Sequence, residues 1–260
     1  MLGKIIKHEF KATYGTYLLL FLSLFAVTIV EKTSQYVEMD LEIWDIFKTL
    51  LMIVFVLFVI FVSFASQIIA VVRFYKTMTR DQGYLTHTIP VKEGTIIWGK
   101  AITAFIWILV SIVAAAIAIV IFLFDTEMVH DLSKLFAQAG EAIQKEPIII
   151  LWIVLTVIIA IVSIFAGIFQ FYASIGLGQM FAAHKVAGAV LFYFIIYYSY
   201  NFVSMAFMVL IPENNVFGLK LSENDLVTIV LAGCIVVEAI YAAVCYWITN
   251  YRFSKRLDIQ

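Results

Sequence analysis

Six long stretches without charge constrain this chain more than any other feature of its sequence. They cover residues 15–30, 49–72, 101–124, 148–180, 186–211 and 226–250, and the single charge within them is Glu238. A hydrocarbon core about 30 Å thick is crossed by a helix of about 20 apolar residues, so the pattern predicts six membrane spans. The runs are continuously apolar rather than alternating, which favours helices over a membrane β-barrel.

The composition excludes an ordinary soluble domain. Hydrophobic residues make up 64% of the 260 residues and charged residues 13%, against about 25% charged in soluble domains. A soluble fold of this length could not hide so much apolar surface from water. We therefore predict an all-α membrane protein, a six-transmembrane-helix bundle that forms one domain over residues 1–260.

The distribution of basic residues predicts the orientation of the bundle. With the N-terminus in the cytoplasm, 12 of the 17 lysines and arginines fall on the cytoplasmic side, as the positive-inside rule requires. An odd number of spans would place the basic C-terminal tail outside, so we expect both termini to be cytoplasmic in a multi-pass protein of the cell (plasma) membrane. The first run resembles a signal peptide, but no small-x-small cleavage motif precedes Glu31, so we expect it to be retained.

Two segments outside the spans have the periodicity of amphipathic helices. In residues 1–14, Leu2, Ile5, Ile6 and Phe10 share one face, which predicts an interfacial helix on the cytoplasmic membrane surface. Residues 125–146 show the same pattern, and we expect them to rest on the outer surface. The fourth apolar run exceeds one span, so we expect it to tilt, to project, or to break near its glycines 176 and 178.

The segment from residue 73 to 100 joins the second and third spans and is the longest predicted cytoplasmic loop. Gly83, Pro90 and Gly94 punctuate it as turn residues do, and a short helix is predicted over residues 81–88. A compact, partly apolar element between two membrane helices suits docking to a partner. The alternative is a plain connection whose basic residues only fix the topology.

Four short motifs in this loop resemble those of the permease subunits of ABC-2-type transporters. They are Phe74-Tyr75-Lys76, Asp81-Gln82-Gly83-Tyr84-Leu85-Thr86, Ile89-Pro90-Val91 and Gly99-Lys100. The resemblance also extends to the length, the six spans and the amphipathic N-terminus, although it is specific only in the loop.

The resemblance implies that this loop is the coupling helix of an ATP-driven exporter. The residues expected to form or frame it are Asp81, Gly83, Tyr84, Leu85 and Pro90. The implied partners are a cytoplasmic ABC ATPase, which would hold ATP and Mg, and a second permease subunit, identical or homologous. Membrane lipid would surround the pair, and no nucleic acid is expected.

A near match to a phosphate-binding loop does not make this chain an enzyme. The stretch Gly94-Thr-Ile-Ile-Trp-Gly99-Lys100-Ala101 ends in alanine where the motif needs a hydroxyl for magnesium, and it leads into a membrane span. The four histidines lie on different segments without metal-ligand spacing. We therefore expect no nucleotide, metal or other cofactor on this chain.

Polar residues inside the spans mark a candidate substrate path. A carboxylate at a helix centre is costly in lipid, so Glu238 should face protein or water, as a substrate contact or as a structural acid. On the fifth span Tyr193, Tyr197 and Tyr200 share a face beside Asn201, and they either line a path or pack between helices. Two other functions remain as alternatives to the exporter. One is an ion-coupled secondary transporter that uses Glu238, and the other is a non-transporting membrane scaffold or sensor.

Overall fold

The computed structural model describes residues 1–37, 42–79, 91–124, 126–181, 184–209, 215–216, 219–220 and 222–255. Its helices are α1 (Leu2–Tyr36), α2 (Glu42–Thr79), α3 (Glu93–Leu123), α4 (Thr126–Lys145), α5 (Ile148–Gly178), α6 (Lys185–Val209) and α7 (Glu223–Lys255). Between α6 and α7, the two-residue strands β1 (Asn215–Val216) and β2 (Leu219–Lys220) pair antiparallel.

Six helices in the described part of the chain are long and apolar enough to cross a membrane, namely α1, α2, α3, α5, α6 and α7. Three of these helices contain a predicted apolar run completely. In the other three, the helix ends one or two residues before the predicted run does. The predicted all-α class and six-helix transmembrane architecture are therefore confirmed. The orientation in the membrane and the single-domain organisation remain predictions.

The amphipathic N-terminus and the first span form one continuous helix, α1. No proline interrupts residues 1–36, and once a helix has started, adding a turn costs less than breaking and restarting it. At about 1.5 Å per residue α1 is roughly 52 Å long, well beyond the 30 Å hydrocarbon core. Its charged first three turns can therefore lie outside the hydrocarbon while its remainder spans it.

The fourth apolar run breaks at its glycines, which was one of the three outcomes expected for it. Helix α5 ends at Gly178, slightly before the predicted boundary at residue 180, and the next residue, Gln179, donates its backbone N–H to the Ile175 carbonyl at 3.3 Å. A Cβ on Gly178 would lie 2.5 Å from the backbone nitrogen of Ala189 on α6. Only glycine permits this close approach of α5 and α6.

The described helices form two compact units, of which the first comprises Met1–Arg73 and Trp98–Phe136. Its core joins α1, α2 and α3 and contains the buried residues Tyr17, Leu20, Leu24, Phe55, Val62, Ala65, Trp107, Ala114 and Ala118. Phe55 of α2 stacks on Phe122 of α3 with ring centroids 4.7 Å apart. Near Phe122, Lys32 of α1 donates hydrogen bonds to the carbonyls of Phe122 and Phe124, at 3.2 and 2.8 Å.

The second unit comprises Phe74–Ile97 and Ala137–Gln260. Within it α5 packs along α7 and α6. Phe74, from the last turns of α2, stacks on Tyr172 of α5 with ring centroids 3.6 Å apart and meets Phe253 of α7 edge-on at 5.5 Å. This aromatic cluster joins the end of α2 to α5 and α7.

Helix α4 is the predicted second amphipathic helix. It carries the ion pairs Asp131–Lys134 and Glu141–Lys145, at 3.4 and 3.9 Å, and its side chains from residue 131 to 142 are exposed. The exposed set includes Phe136, at 76% of its surface. An apolar face that protein leaves uncovered is what a helix resting on a membrane surface requires.

Candidate functional site

The predicted docking residues lie outside the described residues. These are Asp81, Gly83, Tyr84, Leu85 and Pro90, together with the short helix predicted over residues 81–88. The structure does describe both flanks of that segment, because α2 extends to Thr79 and α3 begins at Glu93. The residues that lead into and out of the docking segment therefore show how that segment is supported.

Three charged side chains link α1 to the first and last residues of the predicted 73–100 loop. Glu9 of α1 accepts a hydrogen bond from Arg73 Nε of α2, at 2.8 Å between Nε and Oε2, and its other carboxylate oxygen pairs with the Lys100 ammonium of α3. We call Glu9, Arg73 and Lys100 the charged triad. All three belong to the first unit, and each comes from a different helix.

The charged triad is substantially withdrawn from solvent. The Lys100 side chain is 5% exposed and that of Glu9 12%, whereas Arg73 keeps 30% of its surface. Burial by itself raises the pKa of the Glu9 carboxyl, but the neighbouring Lys100 and Arg73 charges and hydrogen bonds outweigh burial and hold that pKa below its ordinary value. Glu9 is therefore ionised at neutral pH, and its carboxylate pairs with both cations.

This triad was not predicted from the sequence. The periodicity of residues 1–14 placed Lys4, Lys7, Lys11 and His8 away from the apolar face and gave Glu9 no separate role. Two signals were available: Glu9 is the single acidic residue among the first 30, and Lys100 stands at the polar edge of an apolar run. The apolar face of α1 also meets protein, since a Cβ on Gly99 of α3 would lie 2.7 Å from a methyl carbon of Ile5.

A hydrogen-bonded aromatic network continues from the charged triad into the first span. Trp107 of α3 donates its indole N–H to the Thr13 hydroxyl at 2.9 Å, and Thr13 donates to the Glu9 carbonyl at 2.8 Å. The Trp107 ring stacks on Tyr17 with centroids 4.3 Å apart and planes 2° from parallel. Tyr17 in turn donates its hydroxyl to the Ser66 carbonyl of α2 at 2.8 Å. These contacts fix the side-chain packing of all three helices.

We expect Tyr17→Phe to lower the stability of the first unit modestly. The substitution keeps the ring stacked on Trp107 but deletes a buried hydrogen bond to α2, whose net worth is about 1 kcal/mol. That corresponds to a fall of about 2–4 °C in the melting temperature of the detergent-solubilised chain, followed by intrinsic fluorescence.

Tyr14→Phe is the matched control, because Tyr14 lies on the same helix and is 56% exposed. We expect it to melt with the wild type. Equal melting temperatures for Tyr17→Phe and Tyr14→Phe would show that the Tyr17 hydroxyl bond contributes nothing.

The stretch that resembles a phosphate-binding loop is helical. Gly94, Gly99 and Lys100 all lie within α3, and Lys100, the residue that would reach a phosphate, pairs with Glu9. A phosphate-binding loop needs its backbone N–H groups turned toward the anion, whereas those inside a helix bond to the preceding turn. The local conformation therefore differs from that of the motif.

The predicted intramembrane residues are partly brought together in the second unit. Tyr193 and Tyr197 of α6 stack with centroids 6.3 Å apart, and Tyr193 also stacks on Phe171 of α5 at 4.7 Å. Tyr200 of α6 lies 4.3 Å from the ring of Tyr241 on α7, and Glu238 of α7 is half-buried. The three predicted tyrosines therefore all make ring contacts, and Glu238 lies on the helix that Tyr200 meets.

Two further details concern the predicted path. Asn201 is exposed and donates its side-chain amide to the Tyr197 carbonyl at 2.8 Å, a bond within its own helix. Tyr241 of α7, which sequence inspection missed, places its ring 4.3 Å from that of Tyr200. Its spacing of three residues from Glu238 puts both on one face of a helix, and this was the available signal.

The described residues contain no group of three or more histidine, cysteine, aspartate or glutamate side chains placed to hold a metal ion. Comparison with protein-family models, curated proteins and solved structures finds no match for this chain.

Proposed function

We propose that this membrane protein is the permease subunit of an ATP-driven ABC exporter. The charged triad is the observation that carries the proposal. It joins the interfacial start of α1 to Arg73 on α2 and Lys100 on α3, the first and last residues of the predicted 73–100 loop. A loop that transmits force needs stiff supports, whereas a loop that merely connects two spans needs none.

In the proposed mechanism, two such subunits pair and each receives one cytoplasmic ATPase at residues 81–90. ATP on the partner favours the closed ATPase dimer, and closure displaces both docked loops. Since Glu9 links α1, α2 and α3, a displaced loop moves three helices together. The bundle then exchanges an inward-facing arrangement for an outward-facing one, because the nucleotide-bound state has a different affinity for each.

Affinity purification of the full chain from its native membranes in mild detergent tests the proposal. We expect a stoichiometric soluble subunit with a complete phosphate-binding loop to co-purify. It should be lost from a Tyr84→Ala/Leu85→Ala variant, which removes the apolar part of the docking segment. Recovery of the chain alone, or only with itself, would contradict the proposal.

A matched control comes from α4, which carries the adjacent exposed pair Leu135 and Phe136 and is expected on the opposite side of the membrane. Leu135→Ala/Phe136→Ala removes similar apolar area and should leave the co-purified subunit in place. If no ATPase is recovered at all, the ion-coupled alternative predicts transport that follows a proton or sodium gradient and stops in Glu238→Gln.

A further inference from the structure

The second unit holds an acidic group, Glu238, at the centre of a membrane span, and no basic side chain in the part of the chain that the structure describes pairs with it. Glu238 is the one charged residue among residues 226–250, and the apolar runs of α5 and α6 contain no lysine, arginine or histidine. Among the described residues the Glu238 carboxylate forms no ion pair. A carboxylate in mid-membrane is costly by itself, so its charge calls for a positive partner from outside these helices.

Aromatic rings lie on the face of α7 that carries Glu238. Tyr241 follows Glu238 by three residues and therefore shares its helix face, and the Tyr241 ring lies 4.3 Å from that of Tyr200 on α6. Tyr193 and Tyr197 continue the aromatic surface along α6. The faces of tyrosine rings attract cations, most effectively where water is scarce.

These groups suit an organic cation better than a metal ion. A bare sodium or calcium ion needs several oxygen ligands, and here one carboxylate and scattered phenol hydroxyls are available. An organic ammonium or phosphonium needs one counter-charge and apolar contact, which the carboxylate and the rings supply. The half-buried state of Glu238, Tyr193 and Tyr200 leaves room for contact from outside these two helices.

We propose that Glu238, Tyr200 and Tyr241, extended by Tyr193 and Tyr197, form a binding site for lipophilic organic cations. Treating such cations as the transported substrate rests on the proposed exporter function. Their binding to the isolated chain does not.

Saturable binding of radiolabelled tetraphenylphosphonium to the full chain in nanodiscs of zwitterionic lipid tests the inference. The neutral lipid surface avoids electrostatic adsorption of the probe. Tetraphenylborate, which has nearly the same shape and the opposite charge, is measured in separate samples as the control probe. We expect saturable binding of the cation and none of the anion, whereas equal binding of both would mean an unselective apolar surface and overturn the proposal.

Substitutions identify the groups responsible. Glu238→Gln keeps the side-chain shape and should weaken cation binding about tenfold or more, since it removes the counter-charge. Glu141→Gln removes an exposed acid on α4 and should bind like the wild type. Unchanged binding in Glu238→Gln would overturn the proposal.

A second pair of variants keeps the test decisive if Glu238→Gln fails to fold. Tyr200→Phe retains the aromatic face and should bind within about threefold of the wild type, while Tyr200→Leu should lose several-fold more. Equal affinities for these two variants would exclude a role for the ring. Because the assay needs no ATPase, failed binding leaves the exporter proposal standing, and failed co-purification leaves the binding site standing.

Discussion

Glu9→Gln is expected to destabilise the first unit by about 3–5 kcal/mol, the usual cost of removing one partner from a buried ion pair. Lys100, with 5% of its side chain exposed, would lose the carboxylate that pairs with it and favours its charged form, while Arg73 would stay close by. Little of the loss should come from Arg73, which is 30% exposed and partly screened by solvent. In the detergent-solubilised chain this corresponds to a fall of roughly 6–20 °C in melting temperature.

A rescue variant separates a lost ion pair from a general packing defect. Adding Lys100→Met to Glu9→Gln removes the buried lysine charge that Glu9 paired with and keeps the length of the lysine stem, so the double variant should melt above Glu9→Gln alone. Glu141→Gln is the matched control, because it breaks an exposed pair with Lys145 that is worth at most about 1 kcal/mol. If Glu9→Gln melts with the wild type, the charged triad does not hold the three helices together.

Gly83→Pro is expected to abolish coupling between ATP hydrolysis and transport while leaving the spans folded. Gly83 is one of the turn residues of this loop, and a proline there fixes φ at about −65° and removes a backbone N–H, so the docking segment should no longer reach the conformation that it needs. The measurements are substrate-stimulated ATPase activity of the reconstituted complex and the melting temperature of the permease. Stimulation should disappear, and the melting temperature should stay within about 2 °C of the wild type.

The control places the same substitution in α4. Gly140 has no neighbour within 4 Å of an added Cβ, and α4 is expected on the outer surface, so Gly140→Pro should bend that helix and leave stimulation intact. Wild-type stimulation in Gly83→Pro would remove the segment from the coupling mechanism. Loss of stimulation in both variants would indicate general damage instead.

Hydropathy predicted the spans because a helix that crosses lipid needs apolar side chains along its whole membrane-spanning length. It could not predict that α1 continues unbroken through residues 14 and 15, because an interfacial helix and a span differ in environment and not in backbone geometry. Helix ends were less predictable still: α5 stops where Gly178 lets the Ala189 backbone approach, a contact between residues eleven apart.

In the candidate sites too, contacts within one helix could be predicted from the sequence, and contacts between helices could not. Tyr193, Tyr197 and Tyr200 could be grouped in advance because helical spacing fixes a shared face within one helix. Glu9 and Lys100 are 91 residues apart, and no periodicity relates them. Helical spacing from Glu238 could have identified Tyr241. Its contact with Tyr200 on α6 could not be predicted, because it depends on how the two helices pack.

Helices α1 and α3 are pinned to each other twice, by Glu9 on Lys100 and by Lys32 on the carbonyls of Phe122 and Phe124. The two attachment points are separated by nearly the same number of residues on each helix, and therefore by about 33 Å, close to the thickness of the hydrocarbon core. A helix pair held at both ends resists lengthwise sliding, so we expect a force applied at Lys100 to tilt α1 and α3 together. Motion that begins at one membrane surface would then be passed on to the other.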